Sequence, residues 1–300
     1  MHPLRLSMQR AGLISPYFEL PVRESGQHGW IGASELFFTN DRNLHDLVTS
    51  CGWNSWGTNN SHVAGSAFMI AYLNRLVWPV IGQYVLERRV PHVSLDNLAF
   101  HRVAGVIDAT GLNQPSFALL PDDPCASHPD AEVASDLPSL YEKLKEWMFD
   151  DNLSMVIEAL NRAAKASIKV SHNAVAYACA QAFHRLYPVV KDPDLLVREA
   201  NRFFDDRSSM VYQQLTMEVF EHQRKLAFLA RRRGCCLVWR TERANGYCSN
   251  CILVPTEQQD RLFRQSSDGW RDQVEVSSSQ QRDPDQSPYN QGHRRMPYGV

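Results

Sequence analysis

Four cysteines near the C-terminal end of the sequence restrict what the surrounding segment can form. Cys235 and Cys236 are adjacent, Cys248 and Cys251 are separated by two residues, and all four fall within 17 consecutive positions of a 300-residue chain. The other three cysteines stand far apart along the chain. Four thiols at this density predict either a pair of disulfides or a bound metal.

The start of the sequence favours metal over disulfides. Arg5 and Arg10 interrupt the first residues, so no apolar stretch is long enough for a signal peptide. We therefore expect a cytoplasmic protein, in which thiols stay reduced and disulfide frameworks are rare. The sequence predicts that the four cysteines hold a metal or a metal cluster.

Composition and charge narrow the class of protein. With 44% hydrophobic and 21% charged residues, the chain can bury a large core. A formal net charge of −2 provides no long-range field for nucleic acid, so no nucleic-acid partner is expected. The most apolar stretch, 63–86, has Asn74 and Arg75 at its centre, which predicts a core helix and no membrane span.

Hydrophobic periodicity predicts an α+β fold, a predominantly helical domain with a small antiparallel sheet. Amphipathic helices are expected on both sides of the β-prone runs at 90–120, and Pro79 should kink or end the helix that contains it. The Pro-rich and Asp-rich stretch 121–136 indicates a surface loop. Ser171 and Asp192 are predicted as the N-caps of two later helices.

The segment before the cysteines is also predicted to be helical. Apolar residues recur there at helical spacing, namely Leu215, Val219, Leu226 and Leu229. The three arginines at 231–233 would occupy the last turn, where cations oppose the helix dipole, and Gly234 would end the helix in a left-handed conformation.

These patterns divide the chain into four parts. Residues 1–15 are expected to be a flexible N-terminus, 16–233 the main domain and 234–255 the metal-binding segment. Residues 256–300 are rich in Gln, Ser, Asp and Arg, which predicts a disordered polar tail.

The spacing of the thiols leaves two metal sites open. Cys248 and Cys251 form one Cys-x-x-Cys knuckle, which is typical of structural zinc, but the adjacent Cys235 and Cys236 tend to diverge around a single small ion. A [2Fe–2S] cluster takes four thiolates spread over two metals and relaxes this constraint, although the spacing departs from the plant-type ferredoxin pattern.

The segment resembles the C-terminal signature of the FhuF-like ferric siderophore reductases, in which Arg-x-Cys-Cys and an aromatic-Arg pair precede a Cys-x-x-Cys. The matching positions are Arg233, Cys235, Cys236, Trp239, Arg240, Cys248 and Cys251. Two features depart from the family. The interval between the two cysteine pairs holds 11 residues, one longer than usual, and His172 stands where an aromatic residue is expected.

The resemblance implies that Cys235, Cys236, Cys248 and Cys251 ligate a [2Fe–2S] cluster that reduces the iron of a ferric siderophore to the ferrous form. The site would lie in the cytoplasm, including the inner face of the membrane. The sequence contains no dinucleotide-binding glycine motif, so the electron donor would be external: a ferredoxin, a flavodoxin or an NAD(P)H-dependent reductase.

Four further residues are candidates for the surroundings of the cluster or the substrate: Arg233, Trp239, Arg240 and Arg243. Exposed arginines on a loop are more often simply solvated, and an aromatic residue there also serves to pack the loop. Two rival functions use the same cysteines. One is a non-enzymatic module with structural zinc, and the other is an iron-sulfur electron carrier or sensor.

Overall fold

A computed structural model describes residues 1–23, 28–103, 106–244, 246–266 and 270–272, along which helices alternate with short strands. The α-helices are α1 (Pro3–Gly12), α2 (Ala33–Phe38), α3 (Asp41–Cys51), α4 (Ser61–Glu87), α5 (Leu137–Leu144), α6 (Met155–Ala164), α7 (Ile168–Leu186), α8 (Pro193–Asp205) and α9 (Thr256–Gln265). The strands are β1 (Trp30–Gly32), β2 (Arg89–Pro91), β3 (Leu98–Val103), β4 (Val106–Leu112), β5 (Phe117–Leu119), β6 (Ala131–Val133), β7 (Leu215–His222), β8 (Lys225–Arg232) and β9 (Arg271–Asp272).

The strands form small sheets, and the predicted α+β class is confirmed. The orders are β1-β3-β4, β2-β5-β6 and β7-β8-β9, and every pairing is antiparallel except that of β5 with β6. Strands were predicted at 90–120 and lie there, but they belong to two sheets instead of one. The stretch 121–136 is mostly loop, as predicted, and β6 lies within it.

Helix α4 runs through the core and contacts α1, α3, α6 and α7. By length and composition alone it could cross a membrane, but 78% of its most apolar 18 residues are buried by the rest of the protein. A kink or an end was predicted at Pro79; the helix does not end there but continues to Glu87. Burial on all sides offsets the roughly 3 kcal/mol that an interior proline costs.

The first 15 residues are not the flexible segment that their position suggested, because α1 packs onto the core. Leu4, Met8 and Ala11 share the buried face at helical spacing. Arg10 lies on the outer face and pairs with Glu87 of α4, with 2.8 Å between Nη2 and Oε2. The arginines that interrupt the apolar pattern therefore face solvent, while the residues between them anchor the helix.

The segment before the cysteines is a β-hairpin, and the prediction of a helix there was wrong. Strands β7 and β8 pair from Leu215 with Arg232 to His222 with Lys225. The two turn residues, Gln223 and Arg224, have φ angles of 51° and 64°. Two consecutive left-handed residues are the geometry of the type I′ turn that matches the twist of a hairpin.

The predicted helix starts had mixed outcomes. Asp192 caps α8 through a hydrogen bond from the backbone N–H of Leu195 at 2.9 Å, as expected. Helix α7 begins earlier than predicted, because the hydroxyl of Ser167 accepts the Val170 N–H and Ser171 lies buried in the next turn. Both serines suit an N-cap, and the earlier one serves.

The beginning of the predicted disordered tail is ordered helix. In α9, Phe263 is buried and packs edge to face against Phe220 of β7, with 5.7 Å between ring centroids. The guanidinium of Arg231 lies 5.2 Å over the Phe263 ring. The two buried residues of this polar helix, Gln259 and Phe263, lie one turn apart and attach it to the rest of the protein. Residues 273–300 lie outside the described residues.

Candidate metal centre

The four cysteines lie on one loop between β8 and α9. Cys235 and Cys236 follow the end of β8, and Cys248 and Cys251 precede the start of α9. Cys251 is buried, with 5% of its surface exposed, and the other three are half-buried. The loop therefore presents its thiols between the protein interior and the surface.

Gly234 lets the chain leave β8 against helix α7. A Cβ atom at this position would lie 2.0 Å from the Cγ and Oδ1 atoms of Asn173, which leaves no room for any side chain. Gly234 is not in the left-handed region that the sequence suggested; the non-glycine Leu237 is, with φ of 63°. His172 lies half-buried beside Asn173, and burial lowers its pKa.

Cys236 and Cys248 are in contact and share a hydrogen bond. The bond from Cys248 lowers the pKa of Cys236, burial opposes this, and the nearby Arg232 guanidinium lowers the pKa further. The same bond, together with burial, raises the pKa of Cys248. Because the thiolate is the form of cysteine that ligates a metal, the lowered pKa of Cys236 favours ligation by this sulfur.

The Cys-x-x-Cys knuckle forms a tight turn that is tied to the hairpin. The backbone N–H of Cys251 donates to the carbonyl of Cys248 at 3.0 Å. Within the turn, the side-chain amide of Asn250 donates to the Ala230 carbonyl of β8 at 3.3 Å. Hence β8 holds the second pair of cysteines as well as delivering the first pair.

Helix α9 holds the other side of the knuckle. The side-chain amide of the buried Gln259 donates to the carbonyls of Cys251, at 3.1 Å, and Val254, at 2.9 Å. The helix is fixed in turn by an ion pair of 2.6 Å between Arg231 and Asp260. A segment predicted to be disordered is therefore part of the frame around the cysteines.

Arg232 is the charged residue that sequence reasoning missed. Only 9% of its surface is exposed, and its guanidinium lies 4.4 Å from the centroid of the Tyr177 ring. Burial lowers the pKa of Arg232, but Cys236, Tyr177 and Cys248 raise it, and the net shift is upward. The cation therefore persists beside the contacting sulfurs.

Two nitrogens of this guanidinium, Nε and Nη2, have no hydrogen-bond partner within the part of the chain that the structure describes. Successive side chains of a strand point to opposite faces, so Arg231 and Arg233 point away from the cysteines and Arg232 points toward them. A strand assignment would have revealed this; the helical assignment concealed it.

The predicted aromatic and arginine neighbours lie on the exposed side of the loop. Trp239, with 36% of its surface exposed, packs edge to face on Tyr247 with 5.6 Å between ring centroids. The guanidinium of Arg240 lies 5.3 Å over the Trp239 ring. This stack covers part of the loop that joins the two cysteine pairs.

The remaining two predicted arginines lie on the surface. Arg233 is exposed, and its Nη1 reaches the carbonyl of Gln213 at 3.5 Å. Arg243 is exposed beside the turn at Gly57. No hydrogen bond joins either arginine to a thiol among the described residues.

An open depression lies directly beside the knuckle. Its volume is about 690 Å³, and the residues around it are Arg231, Arg232, Arg233, Ile252, Leu253, Val254, Pro255, Thr256 and Gln259. Small-molecule sites commonly measure about 300–1,000 Å³. A cavity between α3 and α4, lined by Cys51 and Arg75, measures only about 80 Å³. Of these two spaces, only the depression has room for a metal chelate.

The four thiols are spread more widely than the ligands of one tetrahedral zinc ion. Four sulfurs around one tetrahedral zinc lie about 3.8 Å apart, given Zn–S bonds of about 2.3 Å. No three of the four Sγ atoms lie within 4.8 Å of one another in the described segments. A two-iron cluster divides four thiolates between two metals, and it carries a negative charge that suits the unpartnered donors of Arg232.

Among the described residues, three potential ligands also cluster away from the cysteines. The ligand atoms of His2, His128 and Asp130 lie within 4.8 Å of one another. The Nδ1 atoms of both histidines already accept backbone N–H groups, from Leu4 at 3.1 Å and Asp130 at 3.2 Å. Both rings therefore act as hydrogen-bond acceptors for nearby backbone N–H groups. The contact of His2 with His128 and Asp130 joins α1 to the loop before β6.

Neither a scan against protein-family models nor a search of the curated proteins finds a match to this chain. The family resemblance therefore depends on the cysteine motif and its neighbours, and it stays a prediction.

Proposed function

We propose that this protein is a cytoplasmic ferric siderophore reductase with a [2Fe–2S] cluster bound by Cys235, Cys236, Cys248 and Cys251. The observation that carries the proposal is the loop itself. It presents four thiols, two of them in contact, beside a buried arginine with unpartnered donors. A site built this way accepts an anionic, sulfur-rich group.

The chemistry of iron explains why reduction is useful. Ferric iron is a hard ion that hydroxamate or catecholate oxygens hold tightly, whereas the same oxygens bind ferrous iron far more weakly. When bound, the cluster supplies one electron at a time, which matches a one-electron substrate. The reaction needs no nucleophile and no proton relay from the protein.

The chain's own residues bind and orient the group. Gln259 and Asn250 fix the backbone around the knuckle, and Gly234 sets the exit of the first pair from β8. Tyr247 and Trp239 shield the joining loop. The half-buried thiols keep the cluster close to the surface, where an external donor and a bulky chelate can both approach.

The depression beside Cys251 is the proposed place for the chelate. It adjoins the knuckle through Ile252 and Leu253, and Arg233 adds an exposed positive charge that suits an anionic ligand. A ferredoxin, a flavodoxin or a separate reductase would supply the electron.

The test begins with anaerobic purification, metal analysis and visible spectra before and after dithionite. We expect two irons per chain and absorption that bleaches on reduction. A ferrous-specific dye should then report release of more than one equivalent of iron per cluster from a ferric chelate. Stoichiometric zinc with a featureless spectrum would instead identify a structural module, and an iron cluster without turnover would identify a carrier or sensor.

Single serine substitutions at the four cysteines provide the link to structure. Each of C235S, C236S, C248S and C251S should lose bound iron. The matched control is C179A, because Cys179 is fully buried in α7 and burial raises its pKa, so its thiol is inert. Full iron content in any of the four serine variants would contradict the ligand assignment.

A further inference from the structure

We infer that Arg232 sets the reduction potential of the metal centre, as a positioning residue that donates hydrogen bonds to its sulfur ligands. The inference rests on the proposed function, since it requires the [2Fe–2S] cluster. It differs from the family signature, which includes the exposed neighbour Arg233 and not the buried Arg232.

Burial without partners is the first argument. A buried cation is normally paired, because an isolated charge in the interior is strongly unfavourable. Among the described residues, neither Nε nor Nη2 of Arg232 finds a hydrogen-bond partner, although 9% or less of the residue is exposed to water. These two donors therefore lack an acceptor among the described residues, while the guanidinium as a whole makes a hydrogen bond to the side chain of Cys236.

The groups that surround the guanidinium are the second argument. Cys236 and Cys248 are the anionic or acidic groups that act on Arg232, together with the phenol of Tyr177. Tyr177 offers its ring face to the cation at 4.4 Å and so fixes the plane of the guanidinium. The ring contacts the cation, and the side chain of Cys236 is hydrogen-bonded to it.

Electrostatics gives the sign of the effect. Reduction adds one negative charge to the cluster, and a fixed positive charge nearby stabilises the more negative state. Hydrogen bonds to ligand sulfur act in the same direction and are a known means of tuning such centres. The electron comes from the external donor, and Arg232 neither gains nor loses a proton. Arg232 should therefore make the cluster easier to reduce.

The chain offers a matched control in the next residue. Arg233 carries the same charge but is exposed, so water and salt screen it. If charge alone near the loop mattered, both arginines would contribute. If the effect requires a buried arginine close to the sulfurs, only Arg232 should contribute to the reduction potential.

The experiment is an anaerobic redox titration of the purified holoprotein, followed by the visible spectrum of the cluster. Three variants are compared with the parent protein: R232M, R232K and R233M. We expect the reduced form of R232M to be at least tenfold less favoured at equilibrium, a shift of −59 mV for one electron. The reduction potential of R232K should fall between those of R232M and the parent protein. R233M should change the equilibrium constant of reduction by less than threefold.

The outcomes separate this inference from the proposed function. Iron analysis and ferrous release by the parent protein test the function, and absence of iron there overturns both. A full iron content in R232M with an unchanged potential overturns the role of Arg232 alone. If R232M does not retain iron, R232K decides: a potential below that of the parent supports the role, and an equal potential rejects it.

Discussion

Arg231 and Arg232 show how neighbouring residues of one type take opposite roles. Arg231 faces outward from β8 and is neutralised by Asp260 and Glu218. Arg232 faces inward, where no carboxylate pairs with it among the residues that the structure describes, and it lies beside two cysteines. The ion pairs of Arg231 help to fix α9 on β8, whereas the charge of Arg232 remains available to the cysteines.

Gly234 provides a prediction at the residue scale. The substitution G234A places a methyl group against Asn173 and should destabilise the protein by about 1–3 kcal/mol, the usual cost of overpacking. The second substitution N173A removes the obstructing amide and should restore part of this loss. Urea unfolding of both single variants and the double variant measures the coupling.

The control for this prediction is G32A. A Cβ atom at Gly32 would meet its nearest neighbour, Glu35, at 3.9 Å, which is ordinary contact. Because Gly32 is the N-cap of α2 and alanine is a poorer cap than glycine, we expect a loss of less than about 1 kcal/mol there. Additive effects of G234A and N173A would show that the close approach does not matter.

At this scale the sequence predicted the ligands but not their neighbours. The cysteines are recognisable because their spacing is itself chemical information. Asn173, Tyr177 and Arg232 meet only because α7 packs on β8. The residues next to Gly234 in the sequence do not predict that it contacts a residue on another element.

The hairpin shows why short amphipathic segments are hard to assign. Leu215, Val219 and Leu226 suit one face of a helix, but the turn at 223–224 places them on two paired strands. Aromatic and β-branched residues such as Val219 and Phe220 favour strands. The error removed Arg232 from consideration, because a helix end would have exposed it.

Helix α9 provides a prediction at the scale of elements. The substitution Q259A leaves the carbonyls of Cys251 and Val254 without their donor, and each unsatisfied group costs about 1–3 kcal/mol if it stays dry. The knuckle should open more often, so iron should transfer faster to an external chelator. The exposed neighbour gives the control Q258A, which should match the parent protein. Equal rates of iron loss in Q259A and Q258A would refute the support by α9.

The end of α8 provides a pH-dependent prediction. Asp206 accepts hydrogen bonds from Tyr141 at 3.1 Å and Lys145 at 2.9 Å. Burial raises the pKa of Asp206, but the bonds from Ser208, Lys145 and Tyr141 lower it, to about 2 overall. Because the folded pKa lies below the unfolded value, the stabilisation is complete above about pH 4 and is lost as pH falls toward 2.

The variant D206N should therefore unfold more easily at pH 7, by about 1 kcal/mol after allowance for solvent screening. Its difference from the parent protein should narrow at pH 3, as measured by urea unfolding at both pH values. The exposed neighbour gives the control D205N, which should change little. A difference that widens on acidification would contradict the assignment.

At the scale of the whole molecule, the described residues share a continuous hydrophobic core that reaches from α1 to the hairpin. Leu4 of α1 and Phe228 of β8 both belong to it and are fully buried. The first residues of the sequence are thus structurally equivalent to the later helices, and their loss should affect the entire domain.

Leucines within and just after α1 test this view. The substitution L4A should destabilise the protein by about 2–5 kcal/mol, because it leaves a cavity in the core. The control L13A removes a side chain that is 84% exposed and should change stability by less than 0.5 kcal/mol, roughly the limit for surface sites. A single unfolding transition in urea, shifted only by L4A, would confirm that α1 belongs to the common core. Equal stability of the two variants would restore the view of a flexible N-terminus.

At the largest scale, the α+β class was predictable because it depends on the balance of long apolar helices and short β-prone runs. The partition of the strands into separate sheets was not, since it depends on pairings such as β1 with β3 across α4. The course of α4 through Pro79 likewise depends on how completely its neighbours surround it.

The support of the cysteine loop by earlier residues has a consequence for biosynthesis. Asn173, Tyr177 and Ala230 all precede Cys235 in the chain, so the ribosome completes their synthesis before it adds the first thiol. Gln259 of α9, which also supports the loop, follows the last cysteine. The thiols are therefore added to the chain after most of the residues that support them, and Gln259 is added after the thiols.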